Sequence, residues 1–249
     1  MEQTQLVTRI EFLSVPLDVV REEYLCTVIL SLLEKKEPQH IIFLSLWDVL
    51  KARHNHEFRT MVDRAALCLP TSYSIVRGAR FLGLPTPIFR HPFQFIITLL
   101  NVMDTHYKSL YLFGGRGQSL LEAERNVHST FPGLSVVGRF HGFYRKTLEN
   151  NIITAIVKSN ASLVIVGNGV PGGVRWIARN RAHFAGGIFV QDSEVIDIFS
   201  KRRKRPRAKE LLHGRSPWGQ TLHPLRWHRS VRYVWYIFLL LFYRIFRTK

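Results

Sequence analysis

Short apolar runs alternate with longer amphipathic stretches over residues 1–190 of the 249-residue chain. The runs SLYLF at 109–113 and SLVIV at 162–166 show little polar alternation, which is typical of strands covered on both faces. The pattern predicts strands at Ile10–Leu13, Ile41–Leu46, Ala66–Leu69, Ser109–Phe113, Leu134–Val137, Leu163–Val166 and Ile188–Val190. It predicts helices at Leu17–Glu34, Ser74–Leu82, Pro92–His106, Gln118–Phe131, Leu148–Asn160 and Gly173–His183. Such alternation indicates βαβ units, so we expect an α/β fold with a Rossmann-like, mostly parallel sheet and helices on both faces.

Two of the predicted strand-to-helix connections are rich in glycine. One is Gly114-Gly115-Arg116-Gly117, after SLYLF, and the other is GNGVPGG at 167–173, after SLVIV. Backbone N–H groups in such turns can approach an anion at the positive end of the following helix, which suits a nucleotide-bearing ligand. The candidate binding residues are Gly114, Gly115, Arg116, Gly117, Gly167, Gly169 and Pro171. Neither turn has a complete GxGxxG or phosphate-loop motif, so tight turns without a ligand, and a solvated Arg116, remain alternatives.

Positive charge is concentrated towards the C-terminal end. The formal net charge is +17, and residues 201–249 contribute 14 lysines and arginines against one acid, Glu210, a net charge of +13. Residues 1–200 contribute 21 lysines and arginines against 17 acids. We therefore divide the chain into a body, 1–193, and a basic appendage, 194–249. A polycationic appendage indicates a polyanionic partner, either nucleic acid or an acidic membrane surface.

The appendage combines basic residues with an apolar, aromatic-rich run. The basic run Lys201–Arg207 is followed by Arg226, Arg229 and Arg232 at helical spacing, and then by the 11-residue run Tyr233–Tyr243. Basic residues beside a short apolar segment favour a helix that lies in an anionic membrane interface. Nucleic-acid binding through the basic run, and packing of the apolar run on the body or on a partner subunit, are the alternatives.

The N-terminal sequence and the lengths of the apolar runs favour a cytoplasmic protein. The start, MEQTQLVTRIEF, lacks the basic and then apolar pattern of a signal peptide, and no run reaches the roughly 18 apolar residues of a spanning helix. Cys26 and Cys68 lie in apolar sequence, so we expect two buried, reduced thiols and no disulfide scaffold. We expect a protein that is peripheral on the inner face of the cell membrane.

Three segments share their order and spacing with a known family. They are YLFGGRGQSLLEAERNVHSTFPGLSVVGRFHGFY at 111–144, NASLVIVGNGVPGGVRWIARNR at 160–181 and ARFLGLP at 79–85. With them the chain resembles the WecG/TagA/CpsF glycosyltransferases over about residues 8–232. The resemblance implies a Rossmann-like body and an appendage that helps to close the site and reach the membrane.

The resemblance also implies an activity. It is transfer of an N-acetylmannosamine-type sugar from a UDP donor to a polyprenyl-diphosphate-linked acceptor, in cell-surface polysaccharide synthesis. The glycine turns would hold the donor diphosphate, and Arg226, Arg229 and Arg232 would contact that diphosphate or lipid phosphates. The implied partners are the UDP-sugar, the lipid-linked acceptor and an anionic membrane surface. No metal or other cofactor and no nucleic acid is expected, and self-association is left open.

Several polar positions of the family's site are replaced in this chain. The family's catalytic Asp aligns with Thr71, whose hydroxyl is not appreciably basic near neutral pH. A Thr-x-Asn element aligns with residues 43–45 and ends at Ser45, and a Gln-Glu pair aligns with Gly173 and Val174. Transfer needs a group that takes the proton of the acceptor hydroxyl, so the aligned site lacks its expected base.

Two hypotheses follow from these replacements. In the first, the chain is an active transferase in which His141, Tyr144, Asp192 or His91 substitutes, with Ser45, Ser72 and Tyr144 in the wall of the site. His141 and the position of Thr71 are then the catalytic candidates, because a histidine beyond a parallel strand suits proton transfer near neutral pH. A structural loop histidine is the alternative for His141. In the second hypothesis, a catalytically degenerate relative binds a nucleotide sugar, a lipid-linked saccharide or a partner enzyme without turnover.

Overall fold

A six-stranded, all-parallel sheet forms the centre of the protein in a computed structural model that describes residues 6–213 and 227–247. The strand order is β4-β3-β8-β7-β5-β6, and a separate antiparallel hairpin pairs β1 with β2. The strands are β1 Val7–Phe12, β2 Val15–Val20, β3 Gln39–Leu44, β4 Leu67–Pro70, β5 Ser109–Phe113, β6 Ser135–Phe140, β7 Leu163–Val166 and β8 Ile188–Gln191. The predicted α/β class and parallel sheet are confirmed.

Helices cover the sheet and connect its strands. They are α1 Leu25–Leu33, α2 Leu46–Ala52, α3 His56–Asp63, α4 Tyr73–Phe81, α5 Pro92–Thr105, α6 Gly117–Thr130, α7 Glu149–Ser159, α8 Gly173–Asn180, α9 Val195–Phe199, α10 Ala208–His213 and α11 Trp227–Arg247. All four residues of β7 are buried, as are four of the five residues of β5, because helices lie against both faces.

The predicted start of the first helix is wrong. Residues 17–20 belong to β2, since a two-residue turn at Leu13 and Ser14, with φ of 49° and 61°, folds the chain back onto β1. The hairpin is held by a bidentate ion pair in which Arg9 donates to both carboxylate oxygens of buried Asp18 at 2.8 Å. The helical part of the predicted segment is confined to a short turn at Glu22–Tyr24 and to α1.

Helices α2 and α3, which the hydrophobic pattern did not predict, connect β3 to β4. Helix α2 begins with a capping box, in which the Ser45 hydroxyl accepts from the Asp48 N–H and the Asp48 carboxylate accepts from the Ser45 N–H. Helix α3 is capped by the Asn55 side chain, which accepts from the Phe58 N–H at 2.7 Å. Both helices are short, and their polar start signals are clearer than their apolar periodicity.

The segment that follows β8 packs on the body. Val195, Ile196 and Phe199 of α9 are buried in the main apolar core with residues of α5 and α6. The basic run then folds back, with Arg203 paired to Glu194 at 2.7 Å. The boundary proposed at residue 193 stays a prediction.

Helix α11 contains the predicted apolar run and has two different apolar faces. On one face Tyr236 is 2 % exposed and its hydroxyl donates to the Ser74 carbonyl in the first turn of α4 at 2.6 Å, with Leu239 buried beside it. The same face continues to Tyr243, which contacts the Ser14 hydroxyl at 2.6 Å. The other face exposes Val231, Val234, Trp235, Phe238, Leu241, Phe242, Ile245 and Phe246. No helix in the described part of the chain has the length and apolarity needed to cross a membrane.

The two cysteines differ from the sequence-based expectation in one respect. Both thiols are free, and Cys68 is buried in β4, where burial raises the pKa of its thiol. Cys26 is exposed on the outer side of α1, so the expectation of burial is wrong for this residue. The apolar residues beside Cys26 in sequence lie on the other face of the helix, where Leu25, Val28 and Ile29 are buried.

Candidate functional site at the carboxyl edge of the sheet

The carboxyl ends of the parallel strands collect the predicted site residues at one edge of the molecule. The residue that follows each strand is Ser45 after β3, Thr71 after β4, Gly114 after β5, His141 after β6, Gly167 after β7 and Asp192 after β8. This edge is where open α/β sheets bind ligands. The strand order sets how far apart these residues lie.

The two glycine turns lie side by side, because β5 and β7 are neighbours and Phe113 pairs with Val166. The Gly167 N–H donates to the Phe113 carbonyl at 2.6 Å, and the Gly115 N–H donates to the Asn168 carbonyl at 2.6 Å. A Cβ atom on Gly114 would stand 2.5 Å from the Gly167 Cα. The turns therefore form one continuous feature at the centre of this edge.

The glycines of this feature serve mainly for close backbone approach. The N–H groups of Gly114, Gly115 and Gly167 all donate to carbonyls of the protein itself, that of Gly114 to Phe140 at 2.9 Å. The donors that face outwards belong instead to the first turn of α6, whose N–H groups have no acceptor within the helix. Arg116 is the N-cap of α6, its side chain forms no capping bond, and a Cβ atom on Gly117 would meet no atom within 4 Å.

A guanidinium from the appendage lies at the same helix end. Arg202 donates to the hydroxyl of Ser119, the third residue of α6, at 3.2 Å. Together with exposed Arg116, it puts two cations beside the positive end of the α6 dipole. In the sequence Arg202 is only a member of the basic run, because nothing in the composition shows that the run folds back onto α6.

The loop after β6 packs onto the glycine turns from the other side. The Gly142 N–H donates to the Gly115 carbonyl at 2.9 Å, and the Phe143 ring lies 2.8 Å from the position that a Cβ on Gly169 would take. His141 is half-buried and stacks on Phe140 with a centroid separation of 4.9 Å. His141 thus lies beside the two glycine turns.

Tyr144 and Pro171 complete this half of the edge. The Tyr144 ring is half-buried, 5.7 Å from that of Phe113, and burial raises the pKa of its phenol. Pro171 is exposed in the connection that leads to α8. Gly172, in the left-handed region at φ 70°, is the N-cap of that helix and provides no side-chain capping bond.

The other half of the edge contains the residues aligned with the family's polar positions. Thr71 is half-buried, and its N–H donates to the Leu44 carbonyl at 2.9 Å. Ser72 is the N-cap of α4, and its side chain forms no capping bond. The Ser45 hydroxyl is engaged with Asp48, to which it lies at 2.5 Å. Ser45 and Ser72 therefore lie on the same half of the edge, where the Ser45 hydroxyl serves to cap a helix, whereas Tyr144, the third residue of the predicted wall, lies on the other half.

The strand order separates Thr71 from His141. Strands β4 and β6 are the two outer strands of the sheet, five strand spacings apart, which is about 24 Å at ~4.8 Å per spacing. From β4 to β7, the nearer glycine turn, there are three spacings, or about 14 Å. The structure thus brings His141 to the glycine turns and Thr71 to the opposite side, and the two cannot act on one reacting atom.

Asp192 occupies the middle of the edge, after central strand β8. Its side chain is 9 % exposed, and Oδ1 accepts from the N–H groups of Glu194 at 2.8 Å and Val195 at 2.7 Å. Burial raises the pKa of this carboxyl in spite of those two bonds. His91 is the N-cap of α5, and its Nδ1 accepts from the Phe93 N–H at 3.3 Å.

A glutamine from β8 fills the space left by Gly173. The Gln191 Cγ lies 2.6 Å, and its Nε2 3.3 Å, from the position that a Cβ on Gly173 would take. Val174 is half-buried and packs on the apolar cluster around α3 and β3. An amide side chain from β8 thus lies beside position 173, where the resemblance expects a glutamine.

The remaining predictions concern metals and the arginines of the appendage. Among residues 6–213 and 227–247, no three His, Cys, Asp or Glu side chains are grouped so that they could hold a metal ion. The expectation of a metal-free site stays a prediction. Arg226 lies outside the described residues, as does the side chain of Arg229, whose backbone belongs to α11. Arg232 is exposed on α11.

Two comparisons with known proteins relate the chain to glycosyl transferases. The sequence model described as "Glycosyl transferase WecG/TagA/CpsF family" matches residues 10–249. A relative from Bacillus spizizenii (strain ATCC 23059 / NRRL B-14472 / W23), named N-acetylglucosaminyldiphosphoundecaprenol N-acetyl-beta-D-mannosaminyltransferase, is 23% identical over 182 residues. The match covers 73% of this chain and 70% of the relative.

Proposed function

Because the chain belongs to the WecG/TagA/CpsF glycosyltransferase family, we propose that it transfers an N-acetylmannosamine-like N-acetylhexosamine from a UDP-sugar to a polyprenyl-diphosphate-linked acceptor. The proposal rests above all on the joined glycine turns at the carboxyl edge, with Arg116 and Arg202 at the start of α6. The named activity of the Bacillus relative, which acts on a lipid-linked diphosphate, supports the substrate class.

The donor diphosphate binds at the first turn of α6. Outward N–H groups, the helix dipole and two guanidinium groups all favour a doubly charged anion there. The sugar is bonded to the diphosphate through its anomeric carbon and extends from there over the ends of β7 and β8, in the direction of Thr71. The end of β4 lies four strand spacings from that of β5, which is about 19 Å at ~4.8 Å per spacing. Gln191 lies along this path, where its amide can contact a sugar hydroxyl.

The reaction exchanges one C–O bond for another. The acceptor hydroxyl oxygen forms a bond to the anomeric carbon while the bond from that carbon to the UDP oxygen breaks, and UDP leaves with the electron pair. The charge that develops on the diphosphate is stabilised by the α6 donors and by Arg116. The proton of the acceptor hydroxyl goes to the carboxylate of Asp192. Its position in the middle of the edge and its raised pKa both favour this assignment.

Arg116 provides a direct test of donor binding. We expect Arg116→Gln to raise the dissociation constant of UDP about tenfold, since a charge-assisted contact to phosphate is lost. Isothermal titration calorimetry with UDP measures this change. Arg125→Gln, which removes another exposed guanidinium from the same helix, is the control and should leave UDP affinity unchanged. Equal affinities for the two variants would contradict the assignment.

Helix α11 brings the catalytic edge to the membrane. It is anchored on the first turn of α4, only three residues after Thr71, through the Tyr236–Ser74 hydrogen bond. Its outward face exposes aromatic and aliphatic side chains, and Arg232 adds positive charge. A face of this kind favours insertion into an anionic interface. A lipid-linked acceptor is met there, so we infer a peripheral location on the cytoplasmic side.

The outward face of α11 can be tested by replacing two of its aromatic rings. We expect Phe238→Ser combined with Phe242→Ser to weaken binding to phosphatidylglycerol-containing vesicles about 30-fold, because two half-exposed rings contribute about 2 kcal/mol of apolar transfer. Vesicle flotation measures the change. Tyr107→Ser, which removes an exposed aromatic ring outside α11, is the control. Undiminished flotation of the double variant would argue against the membrane role.

A second candidate function is binding without turnover. It is favoured by Thr71, which stands where the resemblance expects a carboxylate, and by the capping role of Ser45. The two candidates are separated by incubating the protein with UDP-N-acetylhexosamines and a polyprenyl-diphosphate-linked sugar while UDP release and lipid-linked product are measured. Turnover supports the transferase. UDP binding without product supports the non-catalytic candidate, and the absence of both would contradict each of them.

A further inference from the structure

A cavity of about 460 Å³ lies at the opposite edge of the sheet from the site described above. It opens between α3 and α8, beside the start of β3, and its size is that of a small-molecule site. The lining residues on which the inference depends are His40, Met61, Arg64, Ala178, Arg179 and Arg181. The family resemblance places nothing here.

Positive charge dominates the lining of this amino-edge cavity. Arg64, Arg179 and Arg181 contribute three guanidinium groups, whereas the lining contains a single carboxylate, Glu57. That carboxylate is already paired with Arg175 at 3.2 Å. Of the three arginines, Arg179 has a long contact of 3.8 Å with Glu149, and Arg181 donates one N–H to the Arg64 carbonyl at 3.0 Å. Within the described residues, most of the guanidinium donors thus remain available to a ligand in the cavity.

A buried imidazole forms part of the same lining. His40 is 5 % exposed, and its Nε2 has no hydrogen-bond partner among the described residues. Burial, together with the charge of Arg181, lowers the pKa of His40 to about 3, so the ring is neutral at physiological pH. A buried polar atom without a partner is unfavourable unless a ligand or water satisfies it. The cavity is the adjoining space from which such a partner can come.

We propose that the amino-edge cavity binds the phosphate group of a small phosphorylated metabolite, with Arg64 and Arg181 as charged donors and His40 as the buried polar contact. Guanidinium groups match phosphate oxygens in geometry as well as in charge. Met61 and Ala178 give the cavity an apolar side that accommodates the non-phosphate part of the ligand. The cavity is larger than a bare phosphate ion requires, which favours a metabolite over the free ion.

Histidine side-chain ¹⁵N NMR tests this inference at the residue concerned. The full chain is titrated with sodium phosphate at constant ionic strength and pH 7.5, without UDP, because the phosphates of UDP would compete for the cavity. The His40 resonance, identified by its loss in His40→Gln, is expected to shift saturably. Because His40 lies in this cavity and not at the donor site, failure here leaves the proposed transferase function standing.

Arginine variants show whether the shift comes from the cavity. Arg64→Gln keeps the backbone carbonyl that accepts from Arg181, so the fold is preserved, and it should raise the phosphate dissociation constant about tenfold. Arg125→Gln removes the same charge from an exposed position on α6 and should not change the phosphate dissociation constant. A His40 resonance that phosphate does not move, or equal affinity in the Arg64 and Arg125 variants, would overturn the site. An equal response to sodium acetate would overturn the assignment to phosphate.

Discussion

Replacing Gly114 with alanine is expected to lower the free energy of unfolding by about 3 kcal/mol and to abolish measurable UDP binding. Gly114 has φ of 135°, a region that L residues rarely adopt, and a Cβ atom there would lie 2.5–2.7 Å from the backbone of Gly167. Backbone atoms cannot move aside without separating the two turns, so the variant disrupts the feature that joins β5 to β7. Urea denaturation and calorimetry with UDP measure the two losses.

Gly117 provides the matched control for this substitution. It lies three residues further on in the same turn, but a Cβ atom there would meet nothing within 4 Å. Alanine at the start of α6 should therefore leave stability unchanged or raise it slightly, and UDP should still bind. Equal losses in both variants would mean that the turn is generally sensitive and that the close approach of Gly114 to Gly167 has no special importance.

Introducing aspartate at Thr71 is expected to raise the rate of sugar transfer about 100-fold or more, since a positioned general base contributes ~10²–10⁴. The side chain would start at the carboxyl end of β4, half-buried, at the edge where the acceptor approaches from α11. Its carboxylate would take the acceptor proton more effectively than Asp192, whose Oδ1 is held by two backbone N–H groups. The measurement is the turnover number with a UDP-N-acetylhexosamine and a lipid-linked acceptor.

Thr71→Asn distinguishes the effect of a proton-accepting carboxylate from that of a side chain of the same shape. Asparagine has nearly the same size as aspartate and cannot accept the proton, so its rate should remain that of the unaltered protein. A gain shared by both variants would indicate a packing effect. A rate unaffected by Thr71→Asp would show that the missing carboxylate does not limit transfer.

The parts of the fold that were predictable from the sequence are those governed by local apolar pattern. The bounds of β5 and β7 agree with the predicted strands at both ends, because uninterrupted apolar runs of this length suit strands buried on both faces. Residues 17–20 were not predictable in this way. Their strand depends on the Arg9–Asp18 pair and on pairing with β1, which are tertiary contacts.

The candidate site likewise combines features that follow from local sequence pattern with features that depend on tertiary contacts. The meeting of the glycine turns at one edge follows from the rule that parallel strands end together. The position of Arg202 beside Ser119, and that of Gln191 in the space beside Gly173, depend on how the chain folds back after β8, for which the sequence has no local signal. The separation of His141 from Thr71 follows from the strand order, which the pattern of predicted elements does not determine.

A crystal structure of the protein with bound UDP would show where the donor diphosphate lies. We expect the diphosphate at the first turn of α6, within hydrogen-bond distance of the Gly117 N–H and of the Arg116 guanidinium, with the terminal phosphate directed across β8 towards Thr71. A diphosphate bound anywhere else on the molecule, or turns that exclude it, would contradict the account.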